Sequence, residues 1–174
     1  MNIRPSTADD AAELHDLYLA AFGDDENVVV EELAQALITL DERTRLSLVA
    51  DRDGELVGHV VFSPAELELD GVFASILAPL AVKPRAQRQG VGSKLVREGL
   101  ERLTECGTNV VFVYGDPDYY TRFGFEQATA SNFAPPYPLT YPTGWHALVI
   151  NPYSSVQTPT KVSCVHPLMK AELW

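Results

Sequence analysis

The feature that most constrains the fold is an apolar segment followed by a glycine-containing bend, an amphipathic segment and a second apolar segment. The run "VFASILAPLAV" leads into "KPRAQRQGVG", and "SKLVREGLERLTEC" and "NVVFVYG" follow. Within the amphipathic segment, apolar residues recur three and four positions apart, as they do along one face of a helix. A strand, a helix and a strand in this order predict a βαβ unit with a right-handed crossover and parallel strands.

The segments on either side of this unit also have clear periods. Two amphipathic helices are predicted in "STADDAAELHDLYLAAFG" and "NVVVEELAQALITL", and strands in "RLSLVA" and "ELVGHVVFS". The pairs Asp53-Gly54 and Asp70-Gly71 favour tight turns because glycine accepts a positive φ, which predicts a three-stranded antiparallel meander whose last strand is central. After the βαβ unit, we expect a short helix in "DPDYYTRF", a proline-rich loop and a strand in "WHALVI".

Length and composition indicate the class of protein. A chain of 174 residues with 46% hydrophobic residues can bury one core, so we predict a single domain over residues 1–174. Its net charge of -11 argues against binding nucleic acid through the phosphates and weakly favours a cationic substrate. The N-terminus lacks the pattern of a signal peptide and no apolar run is long enough to cross a bilayer, so a cytoplasmic protein without membrane association is expected. Cys106 and Cys164 lie far apart and predict neither a disulfide nor a metal site.

The glycine bend has the properties of an anion site. Gly90 and Gly92 lie where a strand meets a helix, and there the first amides have no intrahelical partner and the helix dipole is positive. A pyrophosphate could approach this backbone without meeting a Cβ atom. A Rossmann fingerprint is excluded because position 95 is Leu95, and a P-loop is excluded because the chain has "GSK". A turn that binds no ligand is the alternative.

The residues around the bend match a known signature. Gln87, Gly90 and Gly92 fit the pattern Q/RxxGxG/A, which here follows a V-x-P strand end at Val82 and Pro84. With these residues the chain resembles the GNAT superfamily of acetyl-CoA-dependent N-acetyltransferases. The resemblance extends over residues 3–150 and leaves residues 151–174 as a C-terminal extension. It implies an α+β fold with a mixed sheet, a central splayed strand and helices on both faces.

The resemblance also implies where acetyl-CoA, the co-substrate, binds. In the family, the loop amides hold the coenzyme pyrophosphate, and the corresponding residues here are Gln87, Arg88, Gln89, Gly90, Val91, Gly92 and Ser93. Pro79 removes a hydrogen-bond donor from the preceding strand and predicts a splay or bulge there. The pantetheine arm of the coenzyme lies in such a splay in the family. This implies pairing with Leu80 and Val82, and a backbone N–H near Leu80 that could polarise the thioester oxygen.

Four basic residues surround the same loop. Lys83, Arg85, Arg88 and Lys94 form a local basic cluster in an acidic chain. We expect one or two of them to contact coenzyme phosphates, whereas a solvated surface charge is the alternative for each.

A second group of residues lies in "YGDPDYYTRFGF". Asp116 and Pro117 are typical of a helix start and Gly124 of a helix end, which predicts a short helix. The family often shows YxxxGF here, and Tyr120 with Gly124 and Phe125 matches it. The resemblance implies that Tyr120 protonates the departing coenzyme thiolate. The alternative is that Tyr120 only packs against the coenzyme, and Tyr119 is expected in the core or at its rim.

The group that takes a proton from the acceptor is not evident. The family often places a glutamate on a central strand, but "FASILAPLAV" contains no carboxylate. The candidate bases are Glu66, Glu68, His59, Glu31 or Glu32, and a water held by backbone carbonyls is an equal alternative.

The implied reaction is direct attack of a primary amine on acetyl-CoA, without a metal. The acceptor is a small molecule or a peptide: an antibiotic, a polyamine, an amino acid and a protein N-terminus all stay open. Two other functions stay open as well, a non-catalytic CoA-binding regulatory module and a transferase of a longer acyl group. The proline-rich loop and the C-terminal residues are candidates for a homodimer contact or a substrate lid.

Overall fold

The structure is a computed structural model that describes residues 1–23, 26–41, 43–153 and 159–174. Eight strands in these residues form a mixed sheet with the order β1-β2-β3-β4-β5-β7, and β8 pairs with β3 and β6. The strands are β1 (Asn2–Pro5), β2 (Leu46–Arg52), β3 (Glu55–Leu67), β4 (Ala74–Val82), β5 (Val110–Tyr114), β6 (Phe133–Ala134), β7 (Trp145–Val149) and β8 (Thr160–Cys164). The helices are α1 (Ala11–Ala21), α2 (Asn27–Ile38), α3 (Val91–Glu105), α4 (Pro117–Tyr120) and α5 (Gln127–Ala130). The predicted α+β class is confirmed.

The chain forms two compact units. Unit 1 consists of Met1–Phe62 and Ala78–Leu100, and unit 2 consists of Ser63–Leu77 and Glu101–Trp174. A single domain over the whole chain stays a prediction.

Unit 1 contains β1, β2, the part of β3 up to Phe62, and the helices α1 and α2. β1 and β2 are antiparallel, as are β2 and β3. Asp53 and Gly54 both have a positive φ, 58° and 84° respectively, in the turn between β2 and β3, as the hairpin prediction requires. The core of this unit is apolar and includes Leu14, Leu17, Tyr18, Ala34, Val49, Leu56 and Ala81.

Helices cover both faces of the sheet in unit 1. A Cβ atom at Gly58 of β3 would lie 2.9 Å from Val91 Cγ1 and 3.0 Å from Leu95 Cδ1, so this residue faces α3. The next residue, His59, contacts Tyr18 of α1. Because neighbouring residues of a strand point to opposite faces, α1 and α3 lie on opposite faces here.

Unit 2 contains the parallel pair of the βαβ unit. Ala74–Leu77 of β4 pair in parallel with Val110–Val113 of β5, which confirms that prediction. This ladder ends at Leu77, two residues before Pro79, where the sequence predicts a splay. β5 also pairs antiparallel with β7.

An aromatic cluster forms the core of unit 2. Phe112 stacks on Trp145 with ring centroids 5.1 Å apart and contacts Phe133 edge-on at 5.0 Å. Trp174 stacks on Tyr114 and donates its indole N–H to the Leu168 carbonyl at 2.9 Å. Burial of several aromatic rings is a large source of hydrophobic stabilisation. Leu168 and Trp174 are therefore buried together with the aromatic core of unit 2.

Three strands lie where the sequence shows no strand period. β1 is only four residues long, β6 lies in the predicted proline-rich loop, and β8 lies in the predicted C-terminal extension. β8 pairs with Ala65–Leu67 of β3 and with β6. No helix in the described residues has the length and hydropathy needed to cross a membrane.

Candidate active site

The predicted coenzyme loop connects β4 to α3 in unit 1. A 3-10 turn, Pro84–Ala86, follows β4, and α3 begins at Val91. Gln87 donates a side-chain hydrogen bond to the Val82 carbonyl at 3.1 Å, which ties the start of the loop to the strand end. The side chain of Gln89 is held between Arg85 and Arg52: it donates to the Arg85 carbonyl at 2.7 Å and accepts from Arg52 at 2.8 Å.

The backbone of this loop presents a row of free amides. The first helical hydrogen bond runs from Lys94 N to Gly90 O at 3.0 Å. No acceptor among the described residues takes a hydrogen bond from the amides of residues 88–93. Amides at the N-terminus of a helix are oriented to bind anions.

Two residues of the loop have left-handed backbone conformations. Gly90 has a φ of 81° and Arg88 a φ of 57°. A Cβ atom at Gly90 would have no atom within 4 Å, so a glycine is not required here by packing. Gly90 is exposed and Gly92 is buried. The conformation and the open space at Gly90 are what close approach of a ligand to the backbone needs.

Leu80 and Val82 lie on the part of β4 that follows the ladder with β5. Both are partly exposed. Lys83 N donates to the Val57 carbonyl at 3.0 Å, which holds this end of β4 beside β3.

The basic cluster divides into paired and unpaired residues. Glu55 forms ion pairs with Lys83, at 2.8 Å, and with Arg85. The hydrogen bond from Lys83, assisted by Arg85, lowers the pKa of Glu55. Arg88 and Lys94 are exposed, and no carboxylate among the described residues pairs with either. These two residues are therefore available for phosphate groups, whereas Lys83 and Arg85 are engaged by Glu55.

Tyr120 lies in the short helix that the sequence predicts. Asp116 caps α4 by accepting a hydrogen bond from Asp118 N at 2.9 Å, and Gly124 ends the following 3-10 turn with a φ of 90°. The Tyr120 ring covers Gly115: a Cβ atom there would lie 2.7 Å from Cε2 of the ring. Tyr120 also contacts Phe125 edge-on, with centroids 6.0 Å apart.

The environment of Tyr120 keeps its phenol protonated. Burial raises the pKa of Tyr120 well above that of an ordinary tyrosine, and Tyr119 and Asp116 add to the effect. No hydrogen-bond partner of the hydroxyl lies among the described residues. A protonated phenol without a protein partner can act as a proton donor to a ligand.

Among the candidate bases, His59 lies in the core of unit 1. His59 is fully buried in unit 1, and its ring nitrogens lie 2.8 Å from Tyr18 Oη and 2.8 Å from Ser47 Oγ. Burial lowers the pKa of His59 to about 3. Both ring nitrogens of this neutral imidazole are therefore engaged by hydrogen bonds, and neither is free to take a proton from an acceptor.

The candidate carboxylates have different environments. Glu31 is nearly buried, with an 11% exposed side chain, and lies 2.8 Å from His15 Nδ1. Glu32, Glu66 and Glu68 are exposed, and Glu66 pairs with Ser163 between β3 and β8.

One titratable residue was not identified from the sequence. His146 of β7 is 3% exposed, and its Nδ1 has no hydrogen-bond partner among the described residues. It lies in the apolar segment "WHALVI", where a histidine fits a core strand. The pairing register of β7, which a sequence does not reveal, was needed to recognise it.

Neither cysteine forms a disulfide in the structure: Cys106 is exposed, and burial raises the pKa of the partly exposed Cys164 to about 12. The described residues contain no group of three or more His, Cys, Asp or Glu side chains arranged to hold a metal ion.

Comparison with known proteins places this arrangement in a family. The family described as acetyltransferase (GNAT) domain matches residues 2–128. The uncharacterized N-acetyltransferase YjhQ of Escherichia coli K12 is 39% identical over 133 residues, which are 75% of this chain and 72% of that protein.

Solved structures give the same result. The GNAT family N-acetyltransferase YhbS from Escherichia coli, crystallised in complex with CoA, has a TM-score of 0.84 at 28% identity and covers 97% of this chain and 92% of its own. A GNAT family acetyltransferase from Brucella melitensis, in complex with acetyl-CoA, has a TM-score of 0.64 at 30% identity and covers 91% of this chain and 93% of its own. The sequence match across most of the chain and the shared fold show that the chain belongs to the GNAT family of N-acetyltransferases.

Proposed function

We propose that this acetyltransferase moves an acetyl group from acetyl-CoA to a primary amine by direct attack of the amine on the thioester. The observation that carries the proposal is the loop before α3, in which the amides of residues 88–93 have no acceptor among the described residues. The two similar acetyltransferases were crystallised in complex with CoA and with acetyl-CoA, which supports the same co-substrate here.

The loop residues have distinct parts in coenzyme binding under this proposal. The amides of residues 88–93 bind the pyrophosphate, and Gln87 fixes the start of the loop through Val82. Arg88 and Lys94 supply positive charge to the phosphates, because neither has a carboxylate partner in the described chain. The backbone of Leu80 and Val82 pairs with the pantetheine arm, and an N–H near Leu80 stabilises the oxyanion.

The chemical step needs proton movement at both ends of the reaction. An alkyl ammonium with a pKa near 10.4 must lose a proton before it can attack. When the C–S bond breaks, the sulfur becomes a thiolate, and we propose that Tyr120 donates its hydroxyl proton to it. The raised pKa of Tyr120 keeps this proton in place until the thiolate develops.

The first experiment is a screen of amines by the release of free thiol from acetyl-CoA. Antibiotics, polyamines, amino acids and peptides with free N-termini represent the acceptor classes. We expect at least one class to accelerate thiol release above hydrolysis. A protein that binds acetyl-CoA but accelerates release with none of them would be the non-catalytic regulatory module. Faster transfer from a longer acyl-CoA in competition would indicate the longer-acyl transferase.

The second experiment tests the coenzyme loop by thermal stability. Acetyl-CoA at about 100 times its dissociation constant should stabilise the protein by about 2.7 kcal/mol, which raises the midpoint by roughly 5–11 °C for a chain of this size. Gly90→Val and Gly92→Val should remove most of this shift, because a branched side chain blocks the approach of phosphate.

The matched control for Gly90→Val is Gly107→Val. Gly107 has a φ of 83°, close to the 81° of Gly90, and a Cβ atom at either position meets no atom within 4 Å. Both substitutions therefore impose the same backbone strain, but only the first lies in the loop. An acetyl-CoA shift that is equal in both variants would contradict the assignment of the loop. The acceptor, the cytoplasmic location and a homodimer stay predictions from the sequence.

A further inference from the structure

His146 is a buried titratable residue that has no role in the proposed coenzyme binding or in the step assigned to Tyr120. In the described residues, the buried side-chain polar atoms without a hydrogen-bond partner are Ser63 Oγ and His146 Nδ1. The other ring nitrogen of His146 has no hydrogen bond in the described residues either. Buried polar groups in native proteins are nearly always paired, and an unpaired imidazole is a group that is free to bind or to carry a proton.

The register of β5 and β7 gives the direction of this side chain. Val113 pairs with His146, and Val111 pairs with Leu148. Side chains alternate along a strand and paired residues point to the same face, so these four residues share one face. Phe112, Tyr114, Trp145 and Ala147 occupy the other face, which carries the aromatic core of unit 2.

The segment that carries Tyr120 covers the face of His146. Gly115 lies two residues after Val113, on the same face, and the Tyr120 ring lies 2.7 Å from the position of its missing Cβ atom. At the other end, a Cβ atom at Gly124 would lie 3.3 Å from Leu148 Cδ1. The segment from Tyr120 to Gly124 therefore crosses this face from Gly115, after the end of β5, to Leu148 on β7. His146 lies on the same face between these two residues.

The other titratable groups near His146 lie on the segment that covers it and directly beside that segment. On this face β5 contributes only apolar residues and glycine, and α5, which packs on β7, carries no titratable side chain. The covering segment carries Asp118, Tyr119, Tyr120, Arg122 and, just beyond it, Glu126; Asp116 precedes it. Of these, the acids and the arginine are exposed. An imidazole is the group whose ordinary pKa lies nearest neutrality.

We propose that His146 is the general base of the acetyl transfer and that it returns the proton to Tyr120. This inference rests on the proposed function. It assigns the role for which the sequence offers no carboxylate on the central strand, and it uses an imidazole on the face of β5 and β7 that the segment carrying Tyr120 covers.

The proton transfers balance without any further reactant. The neutral imidazole takes a proton from the acceptor ammonium, directly or through a water. The amine forms a bond to the acetyl carbon, the C–S bond breaks, and Tyr120 gives its hydroxyl proton to the sulfur. The imidazolium then protonates the Tyr120 phenolate, and the second amine proton passes to water as the amide forms. The products are an acetamide, a free thiol and one released proton.

The test is the pH dependence of kcat/KM in the variants His146→Gln and His146→Asn. The amide of glutamine replaces the imidazole near Nε2, and the amide of asparagine replaces it near Nδ1. With an amine found in the screen, kcat/KM at pH 7 should fall by about 10² to 10⁴. The deficit should shrink toward pH 10, where about a quarter of an amine with a pKa near 10.4 is already neutral, compared with about one part in a few thousand at pH 7. The affinity for acetyl-CoA should change by less than about twofold, and free imidazole should restore part of the rate of His146→Ala.

The matched control is His166→Gln, which removes an exposed imidazole and should behave as the wild type. A deficit that is the same at every pH, or no deficit at pH 7, would overturn the proposal, because a purely structural role lowers the rate independently of pH. If the variants do not fold, the imidazole nitrogen resonances of the wild-type protein are measured by NMR with and without the acceptor. The chain has four histidines, and a His146 resonance that does not move when the acceptor binds also overturns the proposal. A wild type that releases no thiol with any amine overturns the proposed function as well.

Discussion

At the scale of single residues, the structure distinguishes tyrosines and histidines that are alike in sequence. Tyr119 and Tyr120 are neighbours on α4, but only the Tyr120 ring lies on Gly115 and contacts Phe125. Tyr119 contacts Phe123 and lies under Arg122, whose guanidinium carbon is 4.8 Å from the ring centroid. The two rings therefore have different environments, and this difference can be tested by the same substitution at both positions.

Tyr120→Phe should slow transfer and leave coenzyme binding intact. The substitution keeps the ring on Gly115 and removes only the hydroxyl. If Tyr120 protonates the thiolate, kcat should fall by about 10² to 10⁴, at the lower end because a thiol pKa near 8.5 makes the thiolate a fair leaving group. Single-turnover kinetics measure the chemical step. Tyr119→Phe is the control and should lose less than about tenfold; a larger loss at Tyr119 than at Tyr120 would exchange the two assignments.

His59 should make the protein less stable in acid. Its folded pKa of about 3 lies below the ordinary value of 6.5, so below pH 6.5 the unfolded chain binds a proton that the folded chain does not. The free energy of unfolding therefore decreases as the pH falls from 6.5 toward 3, by up to about 1.4 kcal/mol per pH unit from this residue. Urea unfolding at several pH values should show a shallower slope for His59→Gln. His166→Gln, at an exposed histidine, should keep the slope of the wild type.

At the scale of elements, two glycines let α3 approach the sheet in unit 1. Gly58 of β3 leaves room for Val91 and Leu95, and Gly99 of α3 leaves room for the Phe62 ring. A Cβ atom at Gly99 would lie 2.1 Å from Phe62 Cε2, far inside van der Waals contact. Close contact of α3 with β3 also fixes where the first turn of α3, and thus the free amides of the loop, are presented.

Gly99→Ala should destabilise the protein although alanine is the better helix former. Alanine gains about 1 kcal/mol of helix propensity over glycine, but the clash with Phe62 should outweigh this gain and leave a net loss of about 1–3 kcal/mol. Chemical denaturation measures the change. Gly23→Ala is the control, because a Cβ atom there meets nothing within 4 Å.

A double-mutant cycle with Phe62→Leu separates the clash from other effects. The smaller side chain removes the ring that the alanine meets, so Gly99→Ala should cost less in the Phe62→Leu background. Equal costs in both backgrounds would mean that Phe62 is not the residue that requires glycine.

At the scale of the whole molecule, the net charge of -11 repels the anionic acetyl-CoA and attracts a cationic amine acceptor. Acetyl-CoA is an anion, and the local pair of unengaged cations, Arg88 and Lys94, lies at the loop proposed to receive it. An amine acceptor is a cation, and the overall field of the protein raises its local concentration.

The KM for the acceptor should therefore increase with ionic strength. Salt shortens the Debye length from about 10 Å at 0.1 M to about 3 Å at 1 M and screens the attraction. With a singly and a doubly charged amine of similar size, the KM of the doubly charged acceptor should increase more. Steady-state assays over a range of potassium chloride concentrations measure this. A KM that does not depend on salt for either amine would show that local contacts, and not the field, determine acceptor binding.

The sequence by itself determined the elements with strong local patterns. Helical and strand periods predict α1, α2, α3 and the strands β2 to β5, and the glycine positions predict the hairpin turn and the coenzyme loop. These features depend on the conformational preferences of neighbouring residues and on the side on which their apolar groups fall, both of which can be read along the chain.

Only the tertiary structure decided the features that depend on contacts between distant residues. β1 and β8 are strands because β2, β3 and β6 provide hydrogen-bond partners for them, and their own residues show no clear period. Glu55 engages Lys83 and Arg85 across 28 and 30 positions of sequence, which leaves Arg88 and Lys94 unpaired. The face occupied by His146 follows from the register of β7 against β5. A shift of that register by one residue would place the imidazole on the opposite face, and no local pattern in "WHALVI" specifies it.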